Sequence, residues 1–514
     1  MAKRTKSRAA DDAADDVPGA GVGGWAAEAP GFGPATTGRF IVIFKDGAND
    51  PKRARAALKD LAGLTDMAAT SDYDGGAIAS AQLADDGTIL FELSGIARVS
   101  EEAVQSLAAS VASDSDSPIL SIEPELIAYP AVVLGSPAFA PTSPLPFPFP
   151  GFPVTGVPGF PPAPFATPGD YLRGFAEAVA FLALRLGGAG LAQPVLGGGL
   201  VSPFGGGEAE AAAGSGFVDT AQFTWGLQAT GAHTSTFTGQ GVKVAVLDTG
   251  FDVGHPDFAG RGVTTATFSG VPVQDHPMGH GTHCVGTALG PKSPVTGVRR
   301  YGVAPMAQVF VGRVFDALPQ PGASTSNVVA GIDWARTNGC QIVSLSLAGN
   351  VNAQTLQYAT PIRLALDANC LIIAATGNNG NRPGFSGFVA NNPLLPPSLG
   401  FVAAPANAKE ALAVGGVDGQ LRLYARTPRS SALTGIGGIV NLVGPGFNVF
   451  SSMPGGHGVM SGTSMATPHV AGLAALWCQA SGKRGRDLWN LLVQNVLPLS
   501  AASSDVGAGL LRAP

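Results

Sequence analysis

The length, composition and charge of the chain restrict what it can be. Its 514 residues exceed what one hydrophobic core usually organises, so we expect a large domain with smaller attachments. With 45% hydrophobic residues, 72 glycines and 41 prolines, the chain is apolar enough for a core and rich in turn and linker residues. The formal net charge of -6 comes without a long basic stripe, which excludes the electrostatic surface expected of a nucleic-acid-binding protein.

The first 37 residues are small, charged and glycine-rich without periodicity, so we predict that they are disordered. The basic residues near the start are not followed by the apolar stretch of a secretory signal. The most apolar later segment, Phe175–Leu186, is interrupted by charges and is too short to span a bilayer. We therefore expect no ordinary export signal and no membrane span, which leaves the location open between the cytoplasm and non-standard export.

A small α+β module is predicted for residues 38–130. Its apolar patterns alternate in the order β-α-β-β-α-β, which is that of the ferredoxin-like fold. The predicted strands are FIVIFK, AIASAQL, TILFEL and ILSIEPELIAY, and the predicted helices are PKRARAALKDLAGL and SEEAVQSLAASVA.

Residues 131–219 are rich in proline and glycine, with a possible short amphipathic helix at Tyr171–Leu186. Proline removes backbone donors and favours extended conformations, so we predict a linker. A partner-binding segment is the alternative.

Residues 220–514 alternate short apolar runs with helical patterns. The runs include VKVAVLD, QIVSLSL, LIIAATGN and ALAVGGV, and the helical patterns include SNVVAGIDWARTNG and TPIRLALDAN. Buried runs joined by helices predict a doubly wound, mostly parallel sheet with helices on both faces. Sites in such α/β sheets lie at the carboxyl ends of the strands.

Asp248 directly follows the apolar run Val242–Leu247, so we expect it at a strand's carboxyl end. Alone, it could be a carboxylate that caps a loop. The tripeptide Asp-Thr-Gly after apolar residues also suggests an aspartic protease, which needs two such carboxylates. No second apolar-Asp-Thr/Ser-Gly occurs in the chain, which argues against that class.

His280 stands between glycines in GHGTHCVGT, just before a predicted helix. His280 and His283 could be metal ligands on one helical face, but the Glu of H-E-x-x-H is absent and no cysteine pair supplements them. A neutral imidazole placed by glycine-permitted turns suits a general base instead. We predict that His283 is a buried structural residue.

Ser464 lies in SGTSMATPHVAGLAAL, at the start of a predicted helix. The helix dipole and free amides there favour developing negative charge. A serine at this place could also be a simple N-cap.

The motifs D-T-G, H-G-T-H and G-T-S-M-A-T-P, in this order, resemble the subtilisin-like family of serine proteases. The resemblance covers residues 220 to 480 nearly continuously. It implies a serine endopeptidase acting on protein or peptide substrates through an acyl-enzyme, with Asp248, His280 and Ser464 as catalytic triad. It also implies that Asn378 and the Ser464 amide hold the oxyanion, and it implies no catalytic cofactor.

By the same resemblance, two segments form the walls of the pocket for the residue before the cleaved bond. These are Ser346, Leu347, Ala348 and Gly349 on one side, and Ala375, Thr376 and Gly377 on the other. The family often has Gly where this chain has Ala348, so we expect a narrowed or reshaped pocket. Neither segment carries a charge, which favours apolar or aromatic side chains.

FIVIFKDG and ILSIEPELIAYP resemble the first and last strands of a subtilisin pro-domain. The resemblance implies that this module is an intramolecular chaperone and inhibitor of a self-processed zymogen. In the family the pro-domain runs almost straight into the protease, whereas here residues 131–219 intervene. A maturation site near residues 205–222 would preserve the family-like start.

Calcium commonly stabilises the family, and Asp257 matches one of its ligands, but the loop PKSPVTGV lacks the usual Asn or Asp side chains. Cys284 follows His280 by one helical turn, and we expect it behind the triad as a small buried residue. Cys340 and Cys370 precede successive strands and could be neighbours. The alternative from another class is a non-catalytic binding protein that has kept the fold.

Overall fold

The computed structural model describes most of the residues outside the N-terminus and the proline-rich segment. The described ranges are 36–45, 50–73, 78, 82–83, 87–113, 117–130, 216–316, 322–349, 354–380, 400–431 and 437–514, with the side chains of 109–113 excepted. The predicted disordered segment 1–37, except its last two residues, and the predicted linker and short helix up to residue 215 lie outside these ranges. The described residues belong to one compact unit.

The N-terminal module combines a sheet with two helices. Its strands are β1 (Thr36–Phe44), β2 (Met67–Ala69), β3 (Thr88–Phe91), β4 (Ile96–Val99) and β5 (Ile119–Pro130), and its helices are α1 (Pro51–Ala62) and α2 (Glu101–Ser113). The strand order β5-β1-β4-β3-β2 places β1 between its antiparallel partners β4 and β5. With the short β2 added, this is the predicted ferredoxin-like plan.

One strand prediction in this module is wrong. AIASAQL lies largely outside the described residues, and the two adjacent described ones, 82–83, are helical. The central hairpin is instead formed by TILF in β3 and IARV in β4, which pair antiparallel. Strand β1 also begins at Thr36, inside the segment predicted to be disordered.

The large domain is built on a nine-stranded sheet. Its elements are α3 (Trp225–Thr230), β6 (Lys243–Asp248), β7 (Thr264–Thr267), α4 (His280–Leu289), β8 (Gln308–Arg313), β9 (Ala323–Ser324), α5 (Thr325–Thr337), β10 (Ile342–Leu345), β11 (Leu347–Gly349), α6 (Leu356–Asp367), β12 (Leu371–Ala375), β13 (Leu412–Val417), β14 (Leu442–Pro445), β15 (Val449–Met453), β16 (Gly456–Met460), α7 (Thr463–Ser481), α8 (Gly485–Gln494), β17 (Val496–Leu497), α9 (Ser503–Val506) and β18 (Leu510–Leu511).

The sheet order is β17-β18-β14-β13-β12-β10-β6-β8-β7, parallel except for β17. Its central strands are Val-, Ile-, Leu- and Ala-rich and almost wholly buried, because helices cover both faces. After β6 the chain first adds β7 and β8 on one side and then β10, β12, β13 and β14 on the other. The carboxyl ends of β6 and β10 therefore flank the switch point where an α/β sheet forms its site.

The N-terminal module packs against α5 and α6 of the large domain. The alternation along β1 explains how: Ile41 and Ile43 join the core of the large domain, whereas Val42 and Phe44 join the module's own core under α1 and α2. The same strand thus contributes to two hydrophobic cores.

Two glutamates of β5 meet the first turns of these helices. Glu123 accepts hydrogen bonds from the Leu356 and Gln357 amides of α6 at 3.0 and 3.2 Å. Glu125 accepts one from the Ser326 amide of α5 at 2.8 Å. Each carboxylate lies where free amides and the helix dipole favour negative charge, so the module stabilises both helix N-termini.

Candidate active site

The carboxyl end of β6 brings Asp248 to His280, the first residue of α4. Both side chains are fully buried, and His280 Nδ1 lies 2.6 Å from Asp248 Oδ1. The Thr249 amide also donates to Asp248 Oδ1 at 2.7 Å, which fixes the carboxylate. Because Nδ1 is engaged by Asp248, Nε2 is the imidazole nitrogen left for a further hydrogen bond.

Glycine is required where α4 approaches the turn after Asp248. A Cβ added to Gly281 would lie 2.1 Å from the carbonyl oxygen of Gly250. That is far inside van der Waals contact, so a side chain here would push the helix and its His280 away from β6. The glycines around His280 in the sequence thus have a positional role.

Ser464 is the second residue of α7 and is fully buried. Its hydroxyl donates to the Ser346 carbonyl at 3.0 Å, and the Ser346 hydroxyl donates to the Ser464 carbonyl at 2.9 Å. Ser346 follows β10, which pairs with β6 through Leu345 and Leu247. Neighbouring strands therefore bring Asp248 and the contact partner of Ser464 to the same edge of the sheet.

Asn378 follows β12 at the same edge. Its Oδ1 accepts a hydrogen bond from the Thr463 amide at 3.0 Å, and the Thr463 hydroxyl donates to the Gly377 carbonyl at 2.9 Å. Gly377 has a φ of 103°, which permits this sharp exit from the strand. Thr463 was not predicted from the sequence; its place beside Ser464 is the only signal that could have indicated it.

Two nitrogens of this cluster are buried without a hydrogen-bond partner among the described residues: His280 Nε2 and Asn378 Nδ2. Buried polar atoms are normally paired, so an unpartnered donor or acceptor in a native structure needs an explanation. A hydroxyl that donates to His280 Nε2 and an oxygen that accepts from Asn378 Nδ2 would supply the two partners.

The end of β5 lies along this site, a feature that was not predicted from the sequence. Residues Ala128, Tyr129 and Pro130 pair antiparallel with Gly349, Ala348 and Leu347 of β11. On its other side β5 pairs antiparallel with β9. The predicted wall Ser346–Gly349 thus forms one side of a cleft in which the module's last strand lies between two strands of the large domain.

The second predicted wall continues from β12. Ala375 is the last residue of that strand, and the buried Thr376 donates its amide to the Val414 carbonyl at 3.1 Å. A Cβ built on Gly377 would lie 3.5 Å from the Ala348 Cβ, so the two predicted walls come close together there. The methyl of Ala348 occupies space that a glycine would leave open.

Two other residues near Asp248, His280 and Ser464, His283 and Cys284, are also buried. His283 is buried, as predicted, and donates from Nε2 to the Val449 carbonyl at 2.9 Å. Burial lowers its pKa to about 3, so the side chain is neutral. Burial also raises the pKa of the Cys284 thiol well above its usual value. Its sulfur lies 3.9 Å from His280 Nδ1 and 3.6 Å from the Ser464 carbonyl oxygen.

A second buried carboxylate, Asp275, supports the Asp248 turn and was not predicted. It accepts hydrogen bonds from the Thr249 hydroxyl and the Thr282 amide, both at 2.7 Å. Burial raises its pKa although these donors lower it. Through Thr249 and Thr282 it connects the segment after β6 to the first turn of α4.

The remaining predicted positions lie outside this cluster. Asp257 is buried beside His457 and Tyr301. Cys340 and Cys370 are buried free thiols at the starts of β10 and β12, and none of the four cysteines forms a disulfide. Their place at the amino ends of parallel strands puts them at the edge opposite the candidate site.

Comparison with known proteins agrees with this geometry. Residues 239–512 match the Peptidase_S8 family, described as the subtilase family. The chain belongs to the subtilase family. It is 35% identical to Subtilisin Savinase of Lederbergia lenta over 298 residues, which are 56% of this chain and 96% of that protein.

Other relatives extend the comparison. An alkaline protease of Shouchella clausii is 35% identical over 298 residues, covering 56% of this subtilase and 68% of the relative. A solved serine-to-alanine mutant of the protease domain of PatA has 25% identity and a TM-score of 0.44, covering 54% of this chain and 94% of that chain.

The subtilase is therefore a serine-type endopeptidase that acts on protein substrates, and subtilisins need no catalytic cofactor for this reaction. Among the described residues, none of the helices is both long and apolar enough to cross a membrane.

Proposed function

We propose that this subtilase hydrolyses peptide bonds with Asp248, His280 and Ser464 as its catalytic triad. The observation that carries the proposal is the buried, unpartnered Nε2 of His280, whose other nitrogen is held by Asp248 at 2.6 Å. A general base needs a free nitrogen and a fixed orientation, and His280 has both.

The reaction begins with the serine hydroxyl. Ser464 Oγ turns from the Ser346 carbonyl to His280 Nε2, gives up its proton there and attacks the substrate carbonyl. Asp248 holds the imidazole tautomer and stabilises the imidazolium. His280 then passes the proton to the leaving amine as the peptide bond breaks. Water repeats the same transfers to release the acyl group from Ser464.

The oxyanion of the tetrahedral intermediate is proposed to lie between Asn378 Nδ2 and the Ser464 amide. The Thr463 amide fixes Asn378 Oδ1, which leaves Nδ2 as the free donor of that side chain. A donor held in place before the charge develops needs no reorganisation during the reaction.

We propose further that the N-terminal module is a pro-domain whose last strand blocks the cleft. Its backbone pairs with β11 and β9 as an extended substrate would, and a strand added to open edges on both sides gains main-chain hydrogen bonds without requiring particular side chains. The glutamates Glu123 and Glu125 add contacts outside the cleft.

The register of β5 supports a place for self-cleavage. Pro130 pairs with Leu347, and the next residue of the antiparallel partner is Ser346, whose carbonyl accepts from Ser464 Oγ. The residue after Pro130 in the sequence is Ala131. We propose a cut between Ala131 and Val132, before the proline-rich segment, which would then stay attached to the protease.

This place differs from the maturation site near residues 205–222 predicted from the sequence. Residues 205–215 of that range lie outside the described residues. The described residue Phe217 donates its amide to the Gly419 carbonyl at 2.7 Å, and Asp219 accepts from the Trp225 amide at 2.8 Å. A cut in this range would be a second, later trimming step.

A small apolar residue before the cleaved bond is the substrate preference that we propose. Ala131 would be the first such residue, and the Ala348 methyl narrows the gap toward Gly377. Hydrolysis of a peptide panel that varies this position tests the proposal. Strong preference for Arg or Lys would overturn it.

The decisive experiment compares the purified chain with its Ser464→Ala variant, followed by casein digestion and intact mass. Loss of a fragment ending at Ala131 together with casein digestion in the wild type alone would support triad and pro-domain together. Self-cleavage without casein digestion would indicate a narrow processing protease. A folded wild-type protein that does neither would favour a non-catalytic binding protein.

A further inference from the structure

The carboxylate of Asp257 is surrounded by donors on both oxygens. Its Oδ1 accepts from the Thr296 amide at 3.2 Å and from the Thr296 hydroxyl at 3.1 Å. Its Oδ2 accepts from the Tyr301 hydroxyl at 2.8 Å and from His457 Nε2 at 2.9 Å. An ionised carboxylate offers about four lone-pair sites, so these four donors saturate it.

The donors also decide the charge of Asp257. Burial raises its pKa, but the hydrogen bonds from Tyr301, His457 and Thr296 outweigh that effect and hold the pKa below its usual value. The side chain of Asp257 has no exposed surface. A buried, ionised carboxylate needs compensation from its neighbours, and in this structure hydrogen bonds provide it.

The imidazole of His457 is held by aromatic rings. It stacks on Phe450 with 5.5 Å between ring centroids and 11° between planes. Tyr301 and His255 contact it edge to face at 5.4 and 5.3 Å. These contacts fix its Nε2 toward Asp257 independently of the hydrogen bond.

The same residues fit a bound cation poorly. His255, Asp257 and His457 offer ligand atoms within 4.8 Å of one another. However, His255 Nδ1 accepts from the Asp257 amide at 3.2 Å, and its Nε2 donates to the Gly456 carbonyl at 2.8 Å. Both of its nitrogens are therefore in use, and a metal would have to break one of these bonds.

Calcium fits no better, although Asp257 matches one of the calcium ligands of the family. Calcium takes six to eight oxygen ligands, and the neighbouring loop PKSPVTGV contains no Asp, Asn, Glu or Gln.

We propose that Asp257 binds no metal ion in this subtilase, because donors from His457, Tyr301 and Thr296 use the carboxylate oxygens that relatives would offer to calcium. We call these four residues the metal-free lock. The lock joins three distant segments: the turn at Pro256–Phe258, the loop before Tyr301 and the hairpin of β15 and β16. That hairpin ends at Met460, shortly before Ser464. Removing divalent cations should therefore leave this part of the domain intact.

The test measures thermal unfolding of the full chain carrying Ser464→Ala, so that self-digestion cannot contribute and the result does not depend on catalysis. We expect the same unfolding midpoint in excess EDTA and in excess calcium chloride. An ion present at about a hundred times its dissociation constant would instead raise the midpoint by roughly 5 °C.

Variants of the lock make the test specific. Tyr301→Phe and His457→Ala should each lower the midpoint in EDTA, because each leaves the buried carboxylate short of a donor. His457→Asp should have a lower unfolding midpoint in EDTA, because two carboxylates then repel each other. Calcium should raise that midpoint again by binding between them. His233→Asp, which places the same carboxylate outside the lock, is the matched control and should show no calcium rescue.

Two outcomes would contradict the proposal of a metal-free lock. The first is a calcium-dependent rise in the parent protein that disappears in Asp257→Asn, since this would place the ion at Asp257. The second is an unchanged midpoint in both Tyr301→Phe and His457→Ala. A calcium-dependent rise that persists in Asp257→Asn would place an ion elsewhere and support a metal-free Asp257.

Discussion

Replacing Glu123 by Ala should weaken the binding of the N-terminal module, the proposed pro-domain, to the large domain without changing the cleft. Glu123 accepts from two backbone amides of α6 and from the Gln357 side chain, at 3.0, 3.2 and 3.2 Å. All three donors belong to the large domain, so the substitution removes contacts between the two parts only. The N-cap residue Thr355 provides no side-chain hydrogen bond of its own.

The magnitude follows from these contacts. A hydrogen bond to a charged group contributes about 1.5 to 3 kcal/mol, and the helix dipole adds about 0.3 to 1 kcal/mol. Burial opposes them, as the raised pKa of Glu123 indicates. A net loss of about 2 kcal/mol corresponds to about 30-fold weaker binding of the pro-domain.

The assay follows cleavage of a fluorogenic peptide after refolding of the full chain. Glu123→Ala should shorten the lag before activity appears, with the final rate per folded molecule unchanged. Glu101→Ala, which removes an exposed carboxylate of α2, is the control and should keep the parent's lag. Equal lags for Glu123→Ala and the parent would refute the reasoning that this cap contributes to inhibition.

Three further predictions concern the candidate site and the N-terminal module that packs over it. Asn378→Ala should lower kcat by about 10² to 10³, the loss that the equivalent deletion causes in subtilisin, with little change in KM. In a competition assay, Ala348→Gly should hydrolyse peptides with a large residue before the cleaved bond faster, relative to peptides with Ala at that position, than the parent does. Burial raises the pKa of Asp333, which accepts from Ser94 of the pro-domain, to about 7. The carboxyl therefore takes up a proton when the module covers it. The affinity of the module for the large domain should fall by at most about tenfold per pH unit as the pH rises toward about 7, and should then stay constant.

Each of these has a result that would contradict it. Unchanged turnover in Asn378→Ala would mean that its free amide does not meet the oxyanion. A selectivity of Ala348→Gly equal to the parent's would mean that the methyl does not limit the pocket. A module affinity that does not change with pH would mean that binding is not coupled to protonation of Asp333. Asp333→Asn, which cannot titrate, is the control. The charged neighbours of Asp333 are Arg336 and Glu92.

The sequence predicted the parallel sheet and the grouping of the candidate site because both depend on local patterns. Buried parallel strands are continuous apolar runs, and the motifs around Asp248, His280 and Ser464 each follow or precede such an element. The family order of the motifs then implied that they meet. The structure adds the hydrogen bonds of Thr463 and Asp275, to which the sequence analysis assigned no role.

What the sequence could not predict depends on contacts between distant segments. AIASAQL has the alternation of a strand, but the partner of β3 is IARV, and pairing rather than propensity decides between them. Asp257 and His457 are 200 residues apart, so only the fold reveals their contact. The position of β5 in the cleft likewise depends on strand register across two domains.

Strand β5 pairs with β1 of the N-terminal module and also with β9 and β11 of the large domain, so the proposed pro-domain would tie the enzyme's selectivity to its own maturation. On this proposal, the cleft that binds a substrate is the same cleft that Ile127–Pro130 fill in the precursor. Altering the walls to favour a new sequence without changing Ile127–Pro130 would then alter the fit between this strand and the cleft. Engineering or evolution of selectivity in this protease must therefore change both segments together.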